Sequence, residues 1–210
     1  MSRRWKAERR RDPYRRMARR RGYRSRAAFK LKEMDKRFGL FKGARVVLDL
    51  GAAPGGWLQV ASEAVGKRGL VIGVDLKPIR PLGLENVRTV VGDVDEEATM
   101  EEVKRLLPGP VDVLLSDLSP QISGAWDLDQ FRQIELARAA LRFAERFLSP
   151  DGWVVLKLFQ GVDFQDFLRE LRERLGFVKV FKPKASRKGS SEVYIVGRYL
   201  RRGKEAGDES

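Results

Sequence analysis

Hydrophobic residues fall along this chain in short continuous runs, and amphipathic segments separate the runs. Runs of about four to eight apolar or β-branched residues are typical of strands, whereas longer segments with a helical period are typical of helices. The predicted strands are 45–50, 70–74, 87–91, 111–116, 152–159, 177–182 and 191–198. The predicted helices are roughly 26–38, 56–65, 96–107, 127–148 and 163–175.

This alternation predicts an α/β fold of the Rossmann-like type, with a mostly parallel seven-stranded sheet and helices on both faces. Fully apolar runs, such as Val-Val-Leu at 46–48 and Trp-Val-Val-Leu at 153–156, are typical of central parallel strands. The last two strands leave no room for a crossover helix between them. We therefore expect an antiparallel strand at one edge of the sheet.

The chain is long enough for one well-buried domain and short for two. We assign the domain to residues 25–200, where Ser25 can cap the helix at 26–38. A basic arm at 1–24 precedes the domain, and a polar tail at 201–210 follows it.

A glycine-rich turn joins the first strand to the next helix. Gly51, Gly55 and Gly56 accept backbone angles that other residues avoid, and the following helix offers free N–H groups to an anion. A P-loop would end in Gly-Lys-Ser/Thr, but Trp57 follows Gly56 here, and the glycine spacing does not match the dinucleotide fingerprint G-x-G-x-x-G. The turn predicts a site for a nucleoside-containing cofactor; a tight connection without a ligand is the alternative.

Acidic residues recur where the first four strands end: Asp49, Asp75, Asp93 and Asp117. Ligands of open α/β sheets bind outside the carboxyl ends of the strands, so we expect these four acids around one crevice. Asp75 lies about 20 residues past the turn, where an acid accepts ribose hydroxyls in nucleotide sites. Capping or turn roles are the structural alternative for each acid.

The chain contains no cysteine and no histidine. This composition removes the usual zinc ligands, the imidazole base and the thiolate nucleophile, so any proton acceptor is Lys, Asp, Glu or Tyr. No apolar run approaches the roughly 18 residues that span a bilayer, and the N-terminus lacks the apolar core of a secretory signal. We expect a cytoplasmic protein without a metal or a membrane partner, and a monomer.

Most of the net charge of +14 lies in the arm. Residues 1–26 hold thirteen lysines and arginines against two acids. The aromatic residues Trp5, Tyr14 and Tyr23 are interleaved with them and offer stacking surfaces, which favours RNA as the partner. A solvated tail is the alternative.

The loop between the last two predicted strands is also basic. It lies beside Glu192, so it can hold RNA near the groups described next, whereas a solvated hairpin is the alternative. Its positive side chains are Lys182, Lys184, Arg187 and Lys188.

Two lysines occupy unusual positions. Lys157 interrupts a buried strand, and Lys30 lies in an amphipathic helix. A buried lysine needs a partner, and Asp117 and Glu192 are the candidates. Alternatively, Lys157 snorkels from a strand end, Lys30 lies on a solvated helix face and Glu192 begins an exposed strand.

Five separated motifs resemble the FtsJ/RrmJ (RlmE) family of S-adenosylmethionine-dependent ribosomal RNA 2′-O-methyltransferases. They are Ser-Arg-Ala-Ala-Phe-Lys-Leu from Ser25, Asp-Leu-Gly-Ala-Ala-Pro-Gly-Gly-Trp from Asp49, Ser-Asp-Leu-Ser-Pro from Ser116, Leu-Lys-Leu-Phe-Gln-Gly from Leu156 and Ser-Glu-Val-Tyr-Ile-Val from Ser191. The likeness covers residues 24 to about 198. Departures are small: Ser119 stands where relatives commonly have alanine, and the arm differs in detail.

The resemblance implies a Lys-Asp-Lys-Glu catalytic tetrad and S-adenosyl-L-methionine as the cofactor. The tetrad corresponds to Lys30, Asp117, Lys157 and Glu192. Together with the turn glycines, the implied cofactor-binding residues are Gly51, Gly55, Gly56, Trp57, Asp75, Asp93 and Asp117.

The chemistry agrees with a ribose oxygen as the target. We expect Lys157 to be the base, because burial and a second cation favour loss of its proton, and Lys30 to position the target. Carbon-5 methylation of pyrimidines normally uses a cysteine, and Ser119-Pro120-Gln121 lacks the second proline and the ring typical of amino-methylation. By resemblance the substrate is a uridine of large-subunit (23S) ribosomal RNA, free or in the large subunit. The alternatives are 2′-O-methylation of tRNA and an idle RNA-binding assembly factor.

Overall fold

A computed structural model describes residues 12–187 and 189–201 of the chain. Its strands are β1 (Val46–Leu50), β2 (Leu70–Asp75), β3 (Val87–Val91), β4 (Val111–Ser116), β5 (Leu148–Phe159), β6 (Leu175–Phe181) and β7 (Glu192–Leu200). Its helices are α1 (Pro13–Arg20), α2 (Ala27–Phe38), α3 (Gly56–Val65), α4 (Glu97–Leu106), α5 (Trp126–Phe147) and α6 (Phe164–Arg174).

The seven strands form one sheet in the order β3-β2-β1-β4-β5-β7-β6. The first five strands are parallel, and β7 pairs antiparallel with both β5 and β6. The predicted antiparallel pairing of the last two strands is therefore confirmed. The burial of the two strands agrees with this order. Residues 193–197 of β7 are all buried, whereas β6 exposes several positions and forms the edge.

Helices cover both faces of the sheet, as predicted. On one face, α4, α5 and α6 pack through Val103, Phe143 and Phe167 onto the strands. On the other face, α2 and α3 pack through Leu31 and Leu58. Because both faces are covered, β1 is buried at every position, which explains its continuous apolar run.

Residues 12–24 of the predicted arm fold against the domain. The short helix α1 was not predicted, because its eight residues are too few to establish a helical period and their arginines indicated a basic arm. Asp12 accepts a hydrogen bond from the backbone of Arg15 and caps the helix, while Ala18 and Tyr23 are buried. The rest of the predicted arm, including Trp5, and the tail from residue 202 lie outside the described residues.

The predicted cap of α2 is wrong. The helix begins at Ala27 with Arg26 at the capping position, and no side chain caps it. Ser25 instead packs over Gly56, where an added Cβ would overlap the Ser25 hydroxyl. A contact between residues 31 positions apart therefore replaces the local one.

Candidate active site

The four predicted aspartates lie at the carboxyl edge of the sheet, because β1 to β4 are parallel. Asp49 and Asp75 lie at the ends of β1 and β2, Asp117 directly follows β4, and Asp93 lies two residues after the end of β3. Asp49 is completely buried, and neither of its carboxylate oxygens has a hydrogen-bond partner among the described residues. Burial, and then the negative charges of Asp117 and Asp75, raise the pKa of Asp49 well above its ordinary value.

The turn after β1 approaches neighbouring backbone closely. Gly51 has φ +78°, and a Cβ there would lie 2.9 Å from the backbone nitrogen of Leu118. Gly55 has φ +104°, and a Cβ there would lie 3.2 Å from the side chain of Leu82. Both positions therefore favour glycine for its backbone angle and its lack of a side chain.

Asp75 ties this turn to the end of β2. One oxygen of its carboxylate accepts a hydrogen bond from the backbone of Ala53 (2.9 Å), and the other accepts one from the backbone of Lys77 (2.9 Å). Each oxygen keeps a second lone pair. The carboxylate is thus held in place and can still accept two hydroxyl protons.

Arg24 connects the same turn to the loop after β2, which the sequence did not indicate. Its guanidinium donates to the carbonyl oxygens of Pro54 (3.1 Å), Arg80 and Pro81 (2.6 Å). The backbone N–H of Arg24 donates to Oε1 of Gln59 on α3 (2.8 Å). One side chain therefore spans both loops that flank the carboxyl end of β2.

The structure brings the four predicted tetrad residues together. Lys30 Nζ lies 2.5 Å from Glu192 Oε1. Lys157 Nζ donates to the backbone oxygen of Asp117 (2.6 Å) and lies 3.3 Å from its Oδ1. Lys157 is only 6% exposed, so the pairing with Asp117 offsets the cost of burying its charge. The tetrad is thus two ion pairs, with one lysine and one carboxylate in each.

Tyr194 joins the two pairs, and the sequence reading missed it. Its hydroxyl donates to Asp117 Oδ1 (2.7 Å) and accepts a hydrogen bond from Lys30 Nζ (3.1 Å). Burial, followed by the negative charges of Asp117 and Glu192, raises the pKa of Tyr194 well above its ordinary value. The phenol therefore keeps its proton and remains a donor. The local signals are its place in the motif Ser-Glu-Val-Tyr-Ile-Val and its position two residues after Glu192 on one strand.

Gln133 is a second residue that the sequence reading missed. It is buried on α5, and its Nε2 donates to the backbone oxygens of Lys157 (2.9 Å) and Leu118 (3.1 Å). The amide therefore holds the end of β5 against the segment that carries Asp117. No sequence motif marks this contact, because it joins residues that are distant in the chain.

The basic loop between β6 and β7 is anchored to α2. The Glu33 carboxylate accepts hydrogen bonds from the backbone of Lys184 (2.7 Å) and Ala185 (3.0 Å), and Arg26 donates to the carbonyl oxygen of Ala185. The hydroxyl of Ser186 donates to Glu192 Oε1 (3.0 Å). The described part of this loop is therefore attached to the tetrad; Lys188 lies outside the described residues.

Trp57, an expected cofactor residue, is buried beneath the tetrad. Its indole N–H donates to the carbonyl oxygen of Ala27 (2.8 Å), and its ring centre lies 5.7 Å from that of Tyr194. It thus positions the first turn of α2, from which Lys30 projects. Within residues 12–187 and 189–201, no cluster of acidic residues is arranged to hold a metal ion, and no helix is long and apolar enough to cross a membrane.

The sheet order, the glycine turn after β1 and the acid at the end of β2 together define a Rossmann-like methyltransferase domain. The sequence profile of the FtsJ-like methyltransferases matches residues 23–200. The chain belongs to the FtsJ-like methyltransferase family, as its motifs predicted.

Similar proteins agree with this assignment. A protein named Ribosomal RNA large subunit methyltransferase E from Methanobrevibacter smithii is 46% identical over 94% of both chains. Proteins of the same name from Methanothrix thermoacetophila and Methanocaldococcus jannaschii are 47% and 43% identical, covering 90% and 93% of this chain and 72% and 81% of their own. The crystal structure of a provisionally named ribosomal RNA methyltransferase from Plasmodium falciparum superposes with a TM-score of 0.74 at 28% identity, covering 85% of this chain and 98% of its own.

Proposed function

We propose that the protein transfers a methyl group from S-adenosylmethionine to the 2′-hydroxyl of a uridine in large-subunit ribosomal RNA. The observation that carries this proposal is the buried pairing of Lys157 with Asp117 at the carboxyl edge of the sheet. Support for the RNA class comes from the relatives named Ribosomal RNA large subunit methyltransferase E, which are 43–47% identical to this chain.

The residues at the carboxyl edge fit the cofactor. Its methionine part is cationic, and acids gather at this edge of the sheet: Asp75, Asp93 and Asp117, with Asp49 buried behind them. Neither carboxylate oxygen of Asp49 has a hydrogen-bond partner among the described residues. Asp75 retains the lone pairs that two ribose hydroxyls require. Bound here, the cofactor supplies an electrophilic methyl group. The residues proposed to hold it are Gly51, Gly55, Gly56, Trp57, Asp75, Asp93 and Asp117.

Lys157 is the proposed base. A neutral amine has two N–H donors and one lone pair. The backbone oxygen of Asp117 and its Oδ1 lie where they can accept the two donors, so the lone pair stays free for the proton of the 2′-hydroxyl. Lys157 Nζ would take the proton of the 2′-hydroxyl as the ribose oxygen forms its bond to the methyl carbon. The carbon–sulfur bond of the cofactor would break in the same step, with its electron pair left on sulfur.

Lys30 and Glu192 position the ribose. Glu192 balances the charge of Lys30 at 2.5 Å and holds its ammonium at a fixed place. That ammonium has three donors, of which Glu192 and Tyr194 accept two. The third has no acceptor among the described residues, so it can donate to the substrate; orientation of this kind accounts for much of catalysis in a displacement reaction.

The arm and the basic loop are the proposed RNA contacts. Residues 12–24 and the loop at 182–187 both reach the start of α2, where Arg26 binds Asp12 and the carbonyl oxygen of Ala185. Their arginines and lysines can neutralise phosphates, which supplies most of the affinity of such proteins for RNA.

To test the proposal, the protein is incubated with methyl-labelled cofactor and separate pools of ribosomal RNA, large subunits and tRNA. The nucleosides of each pool are then analysed. We expect label in 2′-O-methyluridine from the ribosomal pools. Label in tRNA alone would assign the tRNA substrate, a base-methylated product would refute the chemistry, and RNA binding without transfer would indicate an assembly factor. Lys157→Met serves as the inactive control.

A further inference from the structure

A cavity of about 400 Å³ lies between α1, the start of α2 and the turn after β1, apart from the tetrad. Asp12 is its one acidic lining residue, and Pro54 of the turn forms part of its wall. Its lining is unusual in charge, because five arginines contribute to it. These are Arg15, Arg19, Arg24, Arg26 and Arg187.

The protein offsets only part of this charge: the Arg24 guanidinium already donates to three backbone carbonyl oxygens. Asp12 pairs with Arg26, whose Nε is buried without a hydrogen-bond partner among the described residues. The side chains of Arg15, Arg19 and Arg187 form no ion pair or hydrogen bond within residues 12–187 and 189–201. Converging positive charges repel one another and create a strong local potential for an anion.

The cations of this cavity are all arginines, and their geometry indicates which anion it binds. A planar guanidinium presents paired donors that match the oxygens of a phosphate, whereas nonspecific attraction to RNA requires only charge. The volume exceeds that of a bare phosphate, so it leaves room for an attached sugar. A phosphodiester of a nucleic acid therefore suits this cavity.

The position of the cavity indicates which phosphate it is. Arg26 lies four residues before Lys30, which corresponds to about 6 Å along a helix. We infer that the cavity binds the backbone phosphate beside the target ribose and so sets which nucleotide reaches Lys157. This inference rests on the proposed function. This assigns α1 a specific contact in addition to its general attraction for RNA.

Two double variants separate this site from general electrostatics. Arg15→Gln with Arg19→Gln removes two guanidinium groups that line the cavity. Arg16→Gln with Arg20→Gln removes the same charge at the same spacing on α1, from exposed residues that do not line it. Melting temperature and affinity for the cofactor report whether each variant is folded.

The first readout is calorimetric titration with uridine 3′,5′-bisphosphate at low salt. We expect the wild type and the Arg16/Arg20 variant to bind it alike, and the Arg15/Arg19 variant to bind at least about tenfold more weakly. Equal affinities for all three proteins, an equal loss in both variants, or no binding to the wild type would overturn the inference.

The second readout is methyl transfer to ribosomal RNA. We expect KM for RNA to rise about tenfold in the Arg15/Arg19 variant while kcat is unchanged. The slope of log KM against the logarithm of the salt concentration should be about 0.7 shallower, because one phosphate contact is lost. If the wild type binds the bisphosphate but transfers no methyl group, the proposed function fails. If it transfers the group and the variants have equal KM values, the phosphate site fails.

Discussion

Arg24 is expected to control the affinity for the cofactor without touching it. Its guanidinium joins the carbonyl oxygen of Pro54 in the turn after β1 to those of Arg80 and Pro81 in the loop after β2. These two loops flank the proposed nucleoside site. Replacing Arg24 with alanine releases one loop from the other, so the cofactor must order both when it binds.

The expected loss follows from the contacts. Hydrogen bonds from a charged donor contribute about 1.5–3 kcal/mol when buried. Arg24 is partly exposed, so we discount each of the two bonds to the loop after β2 to about 1 kcal/mol for solvent screening. A total of about 2 kcal/mol corresponds to a roughly 30-fold weaker affinity.

Calorimetric titration of the cofactor without RNA measures this effect. We expect Kd to rise about 10- to 30-fold in Arg24→Ala and to recover only in part in Arg24→Lys, because one ammonium cannot span the carbonyls of both loops. Arg80→Ala is the matched control, since it removes a guanidinium from the same loop but keeps the carbonyl that Arg24 binds. A Kd for Arg24→Ala within twofold of the wild-type value would refute the reasoning.

Three further predictions follow from the site. Lys157→Met and Lys157→Arg are both expected to lower kcat about 10²- to 10⁴-fold with cofactor affinity kept, since neither side chain accepts the proton. Single-turnover assays measure the rate of methyl transfer, and a wild-type rate in the arginine variant would exclude the base role. Asp49→Asn is expected to flatten the dependence of stability on pH. Because the pKa of Asp49 is raised in the folded state, unfolding releases its proton, so the ligand-free wild type loses stability as pH rises from about 4 toward the folded pKa. Between pH 4 and 8, the melting temperatures of the wild type and of Asp49→Asn should diverge as pH rises. A constant difference between the two proteins would contradict the raised pKa of Asp49. Glu33→Gln is expected to raise KM for RNA about threefold to tenfold with cofactor affinity unchanged, because it weakens the anchor of the basic loop. Glu102→Gln is the control, since Glu102 lies on α4 and pairs with Arg105 of the same helix.

The tetrad could be predicted because each member lies within a short motif. Lys157 stands out as a charge in an apolar strand, and Glu192 opens another strand. The glycines of the turn are similarly local, since the backbone angles they adopt are set within a few residues. For such positions, the restrictions on the backbone and the cost of burying charge leave few alternatives.

The support of the tetrad could not be predicted in this way. Gln133 and Arg24 bind backbone carbonyl groups, which every residue carries, so no side-chain pattern marks their partners. The local sequence predicts Ser25 as the cap of α2, but Ser25 packs over Gly56, which leaves room for it. Similarly, the cavity of five arginines unites residues from α1, the segment before α2 and the loop before β7.

The sequence by itself determined the alternation of strands and helices, the parallel sheet with its antiparallel strand and the family, and the family resemblance implied which residues form the tetrad. These depend on hydrophobic periodicity and on motifs a few residues long. Only the tertiary structure decided that Tyr194 joins the two ion pairs, that Arg24 spans two loops and that α1 folds onto the domain. The physical reason is that such contacts depend on where distant segments meet, and this is known only once the sheet has brought its strand ends to one edge.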